Sequence, residues 1–492
     1  MRYQSLQDFI AAAAAVGEVK EVHGADLSRD VGCLTELAGE LQGPMLLFDR
    51  FEGFAPDRRI ATNVFRTSLR RYALALGLPL DLHPVALVQT LREQRRLQRP
   101  VPPVYVDDGA VLENVLTGSN VDVEAFPAPL WHAGDGGRYI GTGDIVVMRD
   151  PETGWINFGT YRAALKGPDR LSIWIIKYKR GRIIAEKYWA RGEACPVALV
   201  LGCDPVTFMA ATSRGKYDYA GALHDSPVEV LEAPLTGLPI PAHAELVFEG
   251  EIPSPDDETA FEGPFGEWPG YYSHSGEECV VRVQQIAHRD APVINGAPPL
   301  RPLLSWGDDL AGGAVQTWDH LERSGVSDVV GVWGHCHDLL TVIAIKQRYP
   351  GHAEQALVTA NGRISGGMYG TVVVVDDDVD PSNMREVLWA LCTRVDPARA
   401  VQIVQNMVTS DLDPRLSPER KASGDLTASR MLINACKPFG WKDQFPKTNI
   451  WAEADRREVR ARWQGLLDEL TDAAQRHERV LVGAGLARGQ AG

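Results

Sequence analysis

The stretch "GTGDIVVMRD", residues 141–150, sets the reading of the fold. Two glycines precede a run of Ile145, Val146 and Val147, and Asp150 closes it, the punctuation of a short strand. The same pattern recurs in "LSIWIIKY" (171–178), "CPVALVLG" (195–202), "AELVFEGEI" (244–252) and "ECVVRVQQI" (278–286). From about 110 to 300 the chain therefore reads as a mostly antiparallel sheet or barrel. Before it, short apolar runs such as "PMLLF" (44–48) alternate with helical stretches, including the basic "QTLREQRRLQRP" (89–100), expected to be a solvated helix face. The proline-rich "RPVPPVYVDDG" (99–109) and "PPLRPLLSWGDD" (298–309) mark boundaries. After the second, "VVGVWG", "LLTVIAIK", "GTVVVVDDDVD" and "AVQIVQNM" alternate with helical segments, the signature of an α/β layered domain. The "DDD" at 376–378 reads as a solvated helix-capping turn.

The expected organisation is mixed α+β: an N-terminal α/β domain (1–108), the strand-rich domain (109–305), a C-terminal α/β domain (306–450) and a terminal helix with its tail (451–492). In that helix Val459, Trp463, Leu466, Leu467, Leu470 and Ala473 fall at helical spacing, as a packing or subunit-contact face. The net charge of −15, from 50 basic and 65 acidic residues, argues against a general nucleic-acid or anionic-membrane binder. The seven cysteines form no CxxC pair, as expected of reduced thiols in the cytoplasm. The run "DFIAAAAAVG" (8–17) is too short to span a bilayer and lacks a basic leader, so it reads as a helix packed at the N-terminus.

Two segments carry residues fit for chemistry. In "EGPFGEWPGYYS" (262–273), two carboxylates five residues apart flank a Gly-Pro-Phe-Gly turn and are followed by Trp268, Tyr271 and Tyr272. Such a turn can aim Glu262 and Glu267 into one cavity walled by the aromatics; the alternative is an exposed acidic turn. In "GWINFGTYRA" (154–163), a bulge at Gly159 in an extended chain would bring Asn157 and Arg162 together. A buried Arg162 needs a carboxylate partner, and Glu262 and Glu267 are candidates. The arrangement would clamp a substrate carboxylate on Arg162 and leave one glutamate, its pKa raised by apolar surroundings, to carry a proton. The alternative for Arg162 is a surface salt bridge. His335 and His337 in "GHCHD" lack a third ligand at metal spacing, so they read as packed or pocket-lining. No G-x-G-x-x-G follows a strand, which removes support for a nicotinamide-dependent flavin oxidoreductase.

The segments "WHAGDGGRYIGTGDIVVMRDPETGWINFGTYR" (131–162) and "EGPFGEWPGYY" (262–272) together resemble the UbiD family of decarboxylases. The similarity continues through "LTGLPIPAHAELVFEGEI" (235–252), "VVVVDDDVDPSNMREVLWALCTRVDPAR" (372–399) and "TASRMLINACKPFGW" (427–441). The resemblance implies a central split β-barrel that binds prenylated FMN and a C-terminal α/β domain that mediates dimerisation. It implies reversible, non-oxidative decarboxylation of an aromatic, heteroaromatic or α,β-unsaturated acid, and a flavin prenyltransferase as supplier of the cofactor. An accessory, non-catalytic subunit of a larger carboxylase complex is the alternative. By the same resemblance Arg162 orients the substrate carboxylate, Glu267 protonates the product carbon and Glu262 supports Arg162.

The sequence departs from this family at the flavin phosphate. Relatives use a divalent metal held by an Asn, a His and a Glu, with potassium nearby. Asn157 matches the first ligand, but the His position is Arg180 and the Glu position is Lys216. Two cations in place of the ions would bind the phosphate directly through charge-assisted hydrogen bonds; the alternative is a shifted alignment with the ligands elsewhere. Arg430, in "TASRM", matches a basic position near the phosphate.

Overall fold

The computed structural model describes residues 3–177, 179–213, 216–301, 311–363 and 370–471. The chain divides into two units, Met1–Ala435 and Cys436–Gly492. Residues 302–309 of the second boundary segment lie outside the described residues.

The central strands form one ten-stranded sheet. Its path runs Tyr139–Gly141, Ala163–Leu165, Arg170–Ile173, Gly276–His288, Leu246–Ile252, Cys195–Leu201, Asp144–Arg149 and Ile156–Gly159. Asn114–Thr117 and Thr259–Glu262 also pair on the long Gly276–His288 strand. Every pairing in this sheet is antiparallel, as the sequence pattern implies. Among the described residues no pairing joins the two ends of the path, so the sheet is open along its hydrogen-bonded order. The strand Asp144–Arg149 is buried on both faces except at Arg149, which explains its continuous rather than alternating hydrophobicity. The core beneath it joins Val146, Leu199 and Phe248 to Val31, Phe48 and Ile60 from the N-terminal region. Each such buried side chain contributes about 1.5–3 kcal/mol.

The first hundred residues supply a second sheet of Val19–His23, Met45–Asp49 and Arg59–Thr62. Its fourth strand is Val293–Gly296, which follows the long Gly276–His288 strand in the chain and pairs parallel with Arg59–Thr62. "DFIAAAAAVG" is a helix, Leu6–Ala15, started by a capping box of Ser5 and Asp8. The basic run lies on the helix Pro84–Leu97, but it is not simply solvated. Arg92 is buried over the Trp318 ring and ion-paired with Asp319 and Glu322, while Arg96 also reaches Glu322. A basic run on a helix is ambiguous because the acidic partners sit far away in sequence.

The last sheet orders its strands Val329–His335, Leu340–Ile345, Thr371–Asp376, Thr427–Ala435 and Val401–Val408. Here "DDD" is also not a solvated cap. Asp376 and Asp378 both bind the buried Arg394, and Asn383 caps the next helix instead. In the second unit, the helix Glu453–Arg462 and the helical residues 464–471 that follow a turn at Trp463 leave Val459, Trp463, Leu466 and Leu470 exposed; Ala473 lies outside the described residues. Cys33, Cys195, Cys203, Cys279, Cys336, Cys392 and Cys436 are free thiols. Among the described residues, no helix is long and apolar enough to cross a membrane.

Candidate active site

Arg162 lies between two strands, just after Ile156–Gly159 ends and just before Ala163–Leu165 begins. The chain does not bulge at Gly159; it leaves the strand there and turns through Thr160–Arg162. Tyr161 folds back over Gly159, and its hydroxyl accepts a hydrogen bond from the Gly181 backbone at 3.1 Å. A Cβ at Gly181 would stand 2.7 Å from that hydroxyl, so a side chain there would have to displace the Tyr161 ring.

Glu262 ends the strand Thr259–Glu262, and the chain then enters the irregular turn that its glycines and proline call for. The turn is fastened from both sides. Gly266 N–H donates to Asp135 Oδ1 at 2.9 Å, Phe265 N–H donates to Ser273 Oγ at 3.2 Å, and Glu267 N–H donates to Tyr271 O at 2.9 Å. Asp135 is itself bound to His132, whose other ring nitrogen donates to Pro299 O at 2.9 Å. A Cβ at Gly266 would stand 2.5 Å from the His132 ring, so the turn packs directly on that imidazole.

This framework brings the three charged groups together. Arg162 Nε and Nη2 donate to the two oxygens of Glu262, each at 2.8 Å, a bidentate pair. Arg162 Nη1 donates to Glu267 Oε1. The guanidinium lies 4.1 Å from the Trp174 ring centre and 5.3 Å from that of Phe265. Tyr139 OH donates to Glu262 Oε1 at 2.6 Å. Arg162, Glu262 and Glu267 are only 8%, 2% and 9% exposed.

One buried cation thus faces two buried carboxylates, and the three groups carry a net negative charge when both carboxylates are ionised. Burial pushes the Glu267 carboxyl above its ordinary range; Arg162 opposes this and Glu262 adds to it. Burial works against the Arg162 charge, but hydrogen bonds and attraction from the two glutamates outweigh it and raise its pKa. Burial and the neighbouring Glu262 also hold Tyr139 in its neutral, donating form.

These groups open on a cavity of about 600 Å³ lined by Asn157, Tyr161, Arg162, Arg180, Glu267, Trp268 and His337 among others. That volume suits a cofactor or a small ligand. Of the aromatics expected to wall it, Trp268 does so, whereas Tyr271 and Tyr272 are more than half or half exposed; the Tyr272 hydroxyl instead accepts from Gly134 N–H. Buried Phe265 and partly buried Trp174 take their place. Asn157 is buried with its Nδ2 unpartnered. Arg180, the first residue of the helix Arg180–Trp189, lines both this cavity and an open recess of about 350 Å³ that it shares with Lys216, Asp150 and Trp155. Both cations are exposed. His335 is packed, its Nε2 donating to Pro381 O at 2.8 Å. Arg430 is buried in the C-terminal sheet, donating to Val408 O at 3.0 Å and reaching Asn361, and is not among the residues lining the cavity.

Sequence reasoning missed Tyr139, Trp174, Ser273 and the His132–Asp135 pair. It also missed Asp144, a cavity-lining carboxyl that is 1% exposed and has Oδ2 unpartnered. Of these, only Asp144 left a trace: a charge directly before the apolar run 145–148.

Among the described residues, no group of three or more His, Cys, Asp or Glu side chains stands together as a metal site. Asn157 and Arg180 line the cavity together with the Asp144 carboxyl, and Arg180 and Lys216 line the recess together with Asp150.

Residues 104–302 match the 3-octaprenyl-4-hydroxybenzoate carboxy-lyase Rift-related domain, and residues 311–435 match the C-terminal domain of the same carboxy-lyases. The chain is 31% identical to phenolic acid decarboxylase of Escherichia coli O157:H7, over 92% of this chain and 98% of that protein. It is 30% identical to pyrrole-2-carboxylic acid decarboxylase of Pseudomonas aeruginosa, over 91% and 95%. The structure of the UbiD-class enzyme HmfF from Pelotomaculum thermopropionicum in complex with FMN superposes with a TM-score of 0.80 at 29% identity, covering 92% of this chain and 98% of that one. The open form of vanillic acid decarboxylase from Sedimentibacter hydroxybenzoicus gives 0.81 at 27% identity, covering 96% and 99%. The chain belongs to the UbiD family of carboxy-lyases.

Proposed function

We propose that this carboxy-lyase decarboxylates an aromatic or heteroaromatic carboxylic acid, reversibly and without net oxidation, with prenylated FMN in the 600 Å³ cavity. The observation that carries the reading is the buried Arg162 shared between Glu262 and Glu267 at that cavity. The phenolic and pyrrole carboxylic acids named for two relatives, and the FMN and prenylated FMN bound by HmfF, support the substrate class and the cofactor.

Prenylated FMN, when bound, supplies the electron sink for the pair released as the bond to the carboxylate breaks. The chain's own residues do the rest. Glu262, itself held by Tyr139, fixes the guanidinium through Nε and Nη2, leaving Nη1 to face the substrate carboxylate. A substrate carboxylate on Nη1 displaces Glu267, which loses the cation that opposes its burial and so takes up a proton. After CO₂ leaves, Glu267 delivers that proton to the carbon. The central sheet corresponds to the family's split barrel, flanked by domains at 1–108 and 306–450, with the helix and tail from 451.

The Asn157 amide, Arg180 and Lys216 fit the flavin phosphate, with the N-terminus of the helix Arg180–Trp189 beside them. Direct cation contacts then replace the divalent metal and potassium. A flavin prenyltransferase supplies the cofactor in the cytoplasm, and the working form is a homodimer or larger homo-oligomer.

The test is co-expression with a flavin prenyltransferase, followed by CO₂ release from phenolic and pyrrole carboxylic acids. Glu267→Gln is expected to retain the flavin and to lose about 10²–10⁴-fold in turnover. Turnover near the parent rate would remove Glu267 from the role of proton carrier.

A further inference from the structure

We propose that His337 contacts the substrate and selects for acids whose ring carries a hydrogen-bonding group, a hydroxyl or a ring N–H, away from the carboxylate. This rests on the decarboxylase reading above.

The connection between Val329–His335 and Leu340–Ile345 holds three consecutive non-glycine residues in the left-handed region, with φ of 51° at Cys336, 60° at His337 and 62° at Asp338. Each such residue is unfavourable on its own, and a run of three persists only where the surroundings impose it. Here they do. The Asp338 carboxylate occupies the space where Gly313 and Gly334 lack a Cβ, so any side chain at either glycine would collide with it. On the other side, His335 is tied to Pro381 O. The outcome of this strain is the placement of one side chain: His337 lines the cavity, 5.3 Å from the ring of Trp268, the residue directly after Glu267.

The ring packs beside Trp268, and the cavity they line carries apolar Phe265, Leu300 and Ile176 together with polar Asn157, Arg162 and Glu267. An imidazole there offers one donor or acceptor to the occupant on the Glu267 side of the cavity. A substrate lacking a partner would leave a desolvated ring nitrogen, and sites built to hydrogen-bond a substrate hydroxyl or N–H discriminate strongly against analogues without one. His335, two residues away, is spent on a backbone carbonyl and cannot do the same.

The experiment compares 4-hydroxybenzoate with benzoate on the flavin-loaded protein, by binding calorimetry and by turnover. The parent is expected to bind 4-hydroxybenzoate at least tenfold more tightly. His337→Leu should reduce that ratio to below threefold, and His337→Gln should restore most of it, all with unchanged flavin content. A His337→Leu protein that keeps the parent ratio overturns the proposal, as does a parent without any preference. Because binding is read separately, a protein that prefers 4-hydroxybenzoate through His337 yet releases no CO₂ refutes the decarboxylase reading and leaves the His337 assignment standing.

Discussion

Arg162 is asked to do two things that a lysine cannot do together. Its fork satisfies both oxygens of Glu262, and its remaining nitrogen faces the cavity. Arg162→Lys leaves a point charge that reaches one carboxylate at a time, so we expect activity to fall by at least a hundredfold. The charge is kept but one buried carboxylate loses its hydrogen-bond partner, at a cost of about 1–3 kcal/mol, so stability should fall too. Full activity in that variant would mean that the bidentate clasp is irrelevant. Asp144 gives a second residue-scale prediction, on pH. Burial pushes its carboxyl up to about 8 from 3.8, opposed by its own backbone N–H. Below pH 3.8 folded and unfolded chains both hold that proton. Above it only the folded chain does, so this group makes stability fall as pH rises, by about 1.4 kcal/mol per unit, until the folded value is passed. Asp144→Asn should therefore raise the flavin-free Tm at pH 9 and change it little at pH 4. Glu267 shares the cavity and is present in both proteins, so the difference isolates Asp144. Parallel Tm curves for the two proteins would refute the assignment.

At the scale of elements, the helix Arg180–Trp189 and the turn at 262–273 show what a sequence can and cannot disclose. The central strands were legible because β-branched runs between glycines and prolines are a local signal, and the pairing of Arg162 with the two glutamates followed from the types of residue that can share a buried site. Tyr139 and Ser273 were not legible, since a single tyrosine or serine is partnered only by the fold. The same holds for Asp376 and Arg92, whose charges looked solvated until distant Arg394 and Asp319 closed on them. The phosphate region lies between these cases: its residue types speak for an anion, and its geometry places Arg180 and Lys216 on one recess. Arg180→Ala and Lys216→Ala should each weaken flavin retention by roughly tenfold, about 1.4 kcal/mol, near the low end for a charged hydrogen bond because both side chains are exposed. Chelators should leave the flavin in place. Elemental analysis finding one divalent ion per chain, lost together with flavin on chelation, would refute direct phosphate binding.

At the scale of the whole molecule, the family match begins at residue 104, which suggests a catalytic portion that folds without the first hundred residues. The sheet order argues otherwise. Val293–Gly296 pairs with Arg59–Thr62, so a chain starting at 104 exposes an unpaired strand immediately before Ala297, Pro299 and Leu300, which line the cavity. It also strips Val31, Phe48, Phe51 and Ile60 from a core they share with Trp131, Tyr139 and Phe265, the residues around the Arg162 site. Losing four such side chains forfeits about 6–12 kcal/mol of burial, comparable with the entire stability of an ordinary protein. A protein made from residues 104–471 is therefore expected to be insoluble or to melt without a cooperative transition, and to bind no FMN by fluorescence quenching. Supplying residues 1–103 as a separate chain should rescue solubility if the two pieces reassociate through the Val293–Gly296 edge. A truncated protein that melts cooperatively and binds FMN as the full chain does would show that the N-terminal sheet is an appendage, and that the cavity is built without it.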